Sequence, residues 1–144
     1  MKDVNTILED EVNAIIAESV YGWKREVNGN NGREYIVKPD GTRHETMGAR
    51  QFDPVDLYKF ANVPKYATDL LLAWDLVERF SLSIDTCGFG MGGKPAGYWA
   101  GTHRDGLSMV GDMKNETSAF GETAALAICR AAIRAARRER EALG

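Results

Sequence analysis

Apolar residues recur every three or four positions in three long segments of the chain, which is the spacing of an amphipathic helix. The first segment predicts a helix from Val4 to about Tyr21, ended by Gly22. The second predicts a helix from Thr68 to about Phe80, and the third a helix spanning roughly Glu122 to Arg140. The apolar stripe of the third helix consists of Leu126, Cys129, Ile133 and Ala136.

Shorter segments between these helices have the alternation and the flanking turns that are typical of strands. A polar turn at Asn28–Gly32 predicts a hairpin, and a second turn lies at Pro39–Thr42. Asp53-Pro54 predicts the start of a short helix over Val55–Phe60. Helices that cover one sheet bury all of these apolar faces, so we expect a single α+β domain over residues 1–144, an α/β/α sandwich with a mainly antiparallel sheet. The predicted strands are Trp23–Val27, Glu34–Val37, Leu82–Thr86, Tyr98–His103 and Leu107–Met113.

Composition narrows the classes of function. The formal net charge is −3, which argues against binding of duplex nucleic acid, since such proteins carry a basic face. The longest apolar runs, such as Leu70–Trp74, are too short to span a membrane, and nothing resembles a signal peptide, so we expect a cytoplasmic protein. Cys87 and Cys129 belong to no paired motif and are expected to be buried core thiols. Five arginines crowd the end of the chain: Arg130, Arg134, Arg137, Arg138 and Arg140.

The sequence motifs that suggest a catalytic site lack the surrounding residues that such a site requires. Gly88–Gly93 matches the glycine pattern of a dinucleotide site, but Pro95 and a predicted strand follow where that site needs a helix. His44 and His103 are the only histidines, and no ligand spacing for a metal surrounds them. We therefore predict no catalytic residue, no metal, no cofactor and no enzymatic activity.

Three segments resemble a family of phage proteins, the phage α/β/α (ABA) sandwich domain. They are Tyr21–Lys24, then Pro64–Asp69 with Ala73, Trp74 and Glu78, and Leu126–Ala132, in the order of the family and between about Leu8 and Ala136. Two stretches, Asn28–Gln51 and Gly88–Gly101, are longer than the family pattern. The resemblance implies the sandwich fold that the hydrophobic pattern also predicts.

The chain is also similar to the phage anti-defence sponges that act against Thoeris immunity. Those proteins bind cyclic ADP-ribose isomers, and some bind cyclic di- or trinucleotides, without cleaving them. The resemblance implies a cyclic nucleotide ligand, a homo-oligomer with pockets where subunits meet, an arginine pair on the last helix and an aromatic residue near the first. Arg130 and Arg134 match the pair, Trp23 matches the aromatic residue, and Asn115 would read a base edge or a ribose hydroxyl.

Simpler interpretations remain for the same residues. The arginines could form a solvated helix end, or a basic tail with which a phage accessory protein contacts a host or phage protein. Trp23 could pack on the core, and Trp74 is predicted to lie in the core. An alanine stripe predicts close helix packing and, with the apolar first helix, self-association. The stripe consists of Ala124, Ala127, Ala131 and Ala135.

Overall fold

The computed structural model describes residues 4–27, 29–30, 34–45, 58–59, 61–87, 97–102 and 118–143. A 3-10 turn over Val4–Thr6 leads into three helices, which we label α1 (Glu9–Ser19), α2 (Leu70–Phe80) and α3 (Ala124–Leu143). The strands are β1 (Lys24–Val27), β2 (Glu34–Val37), β3 (Arg43–Glu45), β4 (Leu82–Cys87), β5 (Gly97–Thr102) and β6 (Ser118–Gly121).

The strands form two small antiparallel sheets. One has the order β1-β2-β3, and the other has the order β4-β5-β6. In the second sheet Leu82 pairs with Thr102 and Tyr98 pairs with Gly121. Helix α3 packs against β4, β5 and β6 and also contacts α1 and α2. The predicted α+β sandwich with antiparallel sheets is therefore confirmed, although the strands divide into two sheets.

Helix α3 lies at the centre of the packing. Thr123 caps it by accepting the Leu126 backbone N–H at 3.2 Å. A Cβ added to Gly121 would lie 2.4 Å from the backbone nitrogen of Ala127, so α3 approaches β6 as closely as backbone atoms permit. The missing Cβ of Gly121 makes this approach possible, and the buried alanines of the stripe let α3 pack closely, as the sequence predicts. The stripe packs inside the protomer, because Ala127 and Ala131 are fully buried. The stripe therefore does not supply the surface for the predicted self-association, which stays a prediction.

The first predicted helix is broken. The 3-10 turn ends at Thr6, and α1 begins only at Glu9 because Leu8 is extended (φ −76°, ψ 161°). The apolar spacing continues across the break, so periodicity alone could not reveal it. Helix α1 still buries its predicted apolar side, with Val12 and Ile16 fully enclosed.

The predicted hairpin forms, and a third strand extends it. Strands β1 and β2 pair from Lys24–Val37 to Val27–Glu34. The second predicted turn closes through hydrogen bonds from the Gly41 N–H to the Lys38 carbonyl and from the Lys38 N–H to the Thr42 carbonyl, both 2.9 Å long. Gly41 has φ +90°, which only glycine adopts readily. The chain therefore reverses into β3, a strand that the sequence pattern did not predict.

Helix α2 begins at the cap residue Asp69, whose side chain accepts the Leu71 N–H at 3.0 Å and the Leu72 N–H at 3.4 Å. Its buried side is formed by Ala73 and Leu76. Trp74 is 48% exposed, so its predicted place in the core was wrong. The reason is that apolar residues occur around the whole first turn of α2, and the pattern did not show which side faces inward.

Several predictions fall on residues outside the described part of the chain. These include most of the short helix over Val55–Phe60, the strand over Leu107–Met113, most of the glycine-rich stretch Gly88–Gly101, and Asn115. Cys129 is fully buried as predicted, whereas the Cys87 side chain lies outside the described set.

Candidate functional site

Arg130 is a buried guanidinium with two backbone partners. It is 5% exposed and lies in the first half of α3. Its Nη1 donates to the Phe120 carbonyl at 2.9 Å, and its Nη2 donates to the Ile7 carbonyl at 2.7 Å. The side chain therefore ties the segment before α1 to strand β6. The two carbonyl acceptors offset part of the cost of burying this charge.

Arg134 lies one helical turn later and is half-buried. Its Nη1 donates to the Ser118 carbonyl at 2.5 Å. Ser118 and Phe120 are two residues apart on β6, so their carbonyls point in the same direction, about 7 Å apart. The two arginines thus lie side by side along β6, with each guanidinium oriented by a backbone oxygen.

An open cleft of about 320 Å³ lies beside Arg130, between the start of α1 and the start of α3. Three of its lining residues are carboxylates with exposed side chains, and they surround the single cation. The mouth of the cleft therefore repels an approaching anion more than it attracts one, although solvent screens the effect. The lining residues are Leu8, Glu9, Asp10, Glu122, Leu126 and Arg130.

Trp23 follows the end of α1 and is buried beside Tyr58 and Lys38. It is 8% exposed, and its ring lies 6.2 Å from that of Tyr58 in a tilted arrangement. The Lys38 ammonium lies 5.3 Å from the Trp23 ring centroid. The Tyr58 hydroxyl in turn donates to the Glu18 carboxylate. Burial first, and then this hydrogen bond, raise the pKa of Tyr58. A nucleobase could stack on Trp23 only if Lys38 or Tyr58 moved aside.

The structure thus brings two of the four sequence-predicted ligand residues together. Arg130 and Arg134 both donate hydrogen bonds to backbone carbonyls of strand β6. In the part of the chain that is described, the ring contacts of Trp23 involve neither arginine, and Arg130 alone of the set lines the cleft. Asn115 lies outside the described residues.

The sequence reasoning missed a polar cluster that joins the end of α1 to α2. The Tyr21 hydroxyl donates to Asp75 at 2.6 Å, and Arg79 Nε donates to the same carboxylate at 2.8 Å. These bonds, Tyr21 first, lower the pKa of Asp75, while burial and then Asp75 raise that of Tyr21. The Tyr21 ring stacks on Tyr66 at 5.1 Å. The four-residue spacing of Asp75 and Arg79 was the available sequence signal.

The sequence reasoning also missed the apolar surface of α2. Leu71 is 88% exposed, and Trp74 lies nearby on the same helix. A fully apolar first helical turn, which no single buried face can accommodate, was the signal that could have revealed it.

Two further properties of the described residues bear on the class of site. No group of three histidine, cysteine, aspartate or glutamate side chains among them could hold a metal ion. Likewise, none of the described helices combines the length and the apolar character that a membrane span requires.

The architecture is that of an antiparallel α+β sandwich in which one central helix packs on a three-stranded sheet. Residues 14–133 match the Phage ABA sandwich domain, and the chain belongs to that family. The chain is also similar to the 2.0 Å crystal structure of a phage protein from Bacillus cereus ATCC 14579. The two share 21% identity with a TM-score of 0.49, over 91% of this chain and 89% of that chain. No curated protein matches the chain.

Proposed function

We propose that this chain is a phage anti-defence protein that binds and sequesters a cyclic nucleotide immune messenger without cleaving it. The ligand would be a cyclic ADP-ribose isomer or a cyclic oligonucleotide. Membership of a phage domain family supports the part of the proposal that the chain is a phage protein. The similarity of the chain to the Thoeris anti-defence sponges supports the class of ligand.

The observation that carries the proposal is the half-buried guanidinium of Arg134, which lies beside that of Arg130 along β6. Arg130 and Arg134 are oriented before any ligand arrives, because carbonyls of the same strand accept their hydrogen bonds. Fixed cations lose little conformational entropy when an anion binds, and a planar guanidinium suits phosphate oxygens.

The two arginines have different roles in this proposal. Arg130 is buried behind Ile7 and Phe120, so it positions the strand and contributes positive potential. Arg134 is half-buried and is assigned the direct phosphate contact. We assign the phosphates to the Arg134 side because carboxylates surround the cleft beside Arg130.

A stacking residue and a base-reading residue must complete the pocket. Trp23 would stack on the base once Lys38 shifts, and Asn115 would contact the base edge or the ribose. Since no described contact joins Trp23 to either arginine within one protomer, we propose that the pocket combines residues of two copies, as the sponge resemblance implies.

The direct test is a capture experiment. The purified protein is incubated with a panel of cyclic ADP-ribose isomers and cyclic di- and trinucleotides, washed, and heat-denatured, and the supernatant is analysed by chromatography. We expect one class of messenger to be released intact. Protein denatured before incubation is the control. Release of a linear or hydrolysed product would contradict sequestration, and retention of no panel member would contradict messenger binding.

A second candidate is a phage accessory protein that binds a protein partner through its basic C-terminal helix. The specific observation in its favour is that the outer part of α3 projects into solvent, with Arg140 exposed and Arg137 and Arg138 half-exposed. This candidate requires the outer arginines to matter most. The messenger proposal requires Arg134 to matter most, so the two are separable by substitution.

A further inference from the structure

Helix α2 presents an apolar surface that packs against no other part of the described chain. Leu71 is 88% exposed, Leu70 and Trp74 are each 48% exposed, and Leu72 is 37% exposed. We call these four residues the α2 patch. Together they expose apolar area on the order of 400 Å², the size of the largest patch on a typical monomer, which is often functional. Asp69 caps the helix at the patch itself, so the exposure is not caused by a frayed helix end.

Carboxylates border the α2 patch. The helix and its cap residue carry three of them and one guanidinium, all on exposed residues: Asp69, Asp75, Glu78 and Arg79. The Asp75 carboxylate is paired with Arg79 at 2.8 Å. In the described part of the chain, no ion pair involves Asp69 or Glu78. The border of the patch therefore keeps an excess of negative charge.

Helical spacing brings the apolar and the acidic side chains together. Glu78 lies four residues after Trp74, and Asp75 lies four residues after Leu71, so each carboxylate is one turn from an exposed apolar side chain on the same side of α2. The C-terminal end of a helix dipole is negative, which adds to the potential near Glu78. The outer side of α2 is thus apolar at its start and acidic towards its end.

This charge decides which kind of molecule the patch suits. A second copy that packed its own α2 on this one would bring two sets of carboxylates together, which is unfavourable. Phosphates of an anionic membrane or of nucleic acid are repelled for the same reason, and helices that bind membrane surfaces carry lysine and arginine rather than carboxylates on their polar side. The complementary surface is both apolar and basic.

We propose that the α2 patch binds a helix of a different protein, in which an apolar stripe is flanked by lysine or arginine. The apolar side chains of that helix cover Leu71 and Trp74, and its cations face Glu78. A helix fits better than an extended segment because the backbone groups of α2 are already bonded within the helix. An extended segment would leave its own N–H and C=O groups unpaired against the patch, whereas a helix pairs them internally.

The area predicts a weak, reversible complex. A single helix that crosses α2 buries less than the roughly 1,200 Å² of a standard interface. We therefore expect a dissociation constant on the order of 10 µM. The carboxylates are exposed to solvent, so salt screens their attraction for the partner's cations and should weaken the complex. The proposal goes beyond messenger binding and does not depend on any nucleotide.

The test uses a synthetic peptide of about 18 residues, long enough to form a helix, with leucines on one side, flanking lysines and no tryptophan. Two comparison peptides replace every lysine by glutamate or scramble the sequence so that the stripe is lost. Each labelled peptide is titrated with the full chain, and its fluorescence anisotropy is measured. We expect the lysine peptide to bind at least about fivefold more tightly than either comparison peptide, and its affinity to fall as sodium chloride is added.

Two substitutions and two matched controls locate the binding surface. Leu71→Ser is compared with Val27→Ser, since Val27 is 61% exposed on β1. Glu78→Lys is compared with Glu141→Lys, since Glu141 is exposed in the last turn of α3 and the change in net charge is the same. Leu71→Ser and Glu78→Lys should each weaken binding of the lysine peptide at least about fivefold, and the controls should stay within about twofold of wild type. All four should keep the wild-type melting temperature.

Tryptophan quenching gives a second measurement at the patch itself. Of the three tryptophans, Trp23 and Trp99 are each 8% exposed, so Trp74 dominates collisional quenching by acrylamide. The lysine peptide should reduce this quenching in wild type, and the same peptide concentration should reduce it much less in Leu71→Ser.

Several results would overturn the proposal. Equal binding of the glutamate or the scrambled peptide would show that charge or stripe is irrelevant, and equal loss in the control variants would place the peptide elsewhere. Protection of Trp74 by phosphatidylcholine–phosphatidylserine vesicles but not by the peptide would assign the patch to a membrane. Protection that grows with protein concentration alone would assign it to a second copy. None of these outcomes bears on messenger capture, which the chromatographic experiment tests separately.

Discussion

Replacing Arg130 by methionine should destabilise the protein strongly. The substitution keeps most of the aliphatic stem and removes the guanidinium that donates to Ile7 and Phe120 at 2.7 and 2.9 Å. Each hydrogen bond to a charged group contributes about 1.5–3 kcal/mol, and losing one partner in a buried site leaves the other unsatisfied. Because the two bonds share one side chain, we expect a combined loss of about 3–5 kcal/mol rather than their full sum.

Urea denaturation followed by circular dichroism measures this loss as a lower midpoint with an unchanged slope. Arg140→Met is the matched control, because Arg140 is exposed near the end of α3 and its loss should change stability by less than about 0.5 kcal/mol. A loss below about 1 kcal/mol for Arg130→Met would refute the idea that its two backbone contacts hold the start of the chain on β6. The expected loss also means that weaker ligand binding by an Arg130 variant would not identify a ligand contact.

Three other predictions concern packing and titration. Gly121→Ala should cost about 1–3 kcal/mol in urea denaturation, since the new Cβ would meet the Ala127 nitrogen at 2.4 Å. In a Cys87→Ser background, Cys129 should react with a thiol reagent only as fast as the protein unfolds, because burial raises the pKa of its thiol to about 12. Rapid reaction in native buffer would contradict its burial. Asp75 has a lowered pKa in the folded state, so its contribution to stability is present above pH 3.8 and lost as the pH falls further. Asp75→Asn should therefore reduce the difference in stability between pH 6 and pH 3, and an unchanged difference would contradict the cluster.

The sequence predicted the fold class and most elements because hydrophobic periodicity reports burial directly. Helix α3, with its continuous apolar side, and the β1–β2 hairpin, with its polar turn, were both anticipated. Strand β3 was missed because it is only three residues long and carries the charged sequence Arg43–Glu45. Strand β6 was missed because Ser118–Gly121 consists of small residues around one phenylalanine, which gives no alternating pattern.

The candidate site was predicted only where helix geometry fixes it. The four-residue spacing of Arg130 and Arg134 places both on one side of α3, and the structure has them there. Their backbone acceptors come from β6 and from Ile7, which no local pattern could indicate. The exposure of Trp74 could not be predicted either, because it depends on which side of α2 meets the core.

Calorimetric titration measures whether Arg134 binds the phosphates of a cyclic nucleotide, as we propose. A cyclic ADP-ribose isomer is titrated into wild type, Arg134→Ala and Arg140→Ala. Arg134 is half-buried and its guanidinium donates to the Ser118 carbonyl, so its loss should also cost the unliganded fold about 1.5–3 kcal/mol, and each variant is titrated under conditions in which it is folded. Loss of a charge-assisted phosphate contact worth about 1.5–3 kcal/mol should weaken binding by roughly one to two decades. We expect that loss of affinity in Arg134→Ala and wild-type affinity in Arg140→Ala. Equal affinity in all three proteins, or a larger loss in Arg140→Ala, would contradict it.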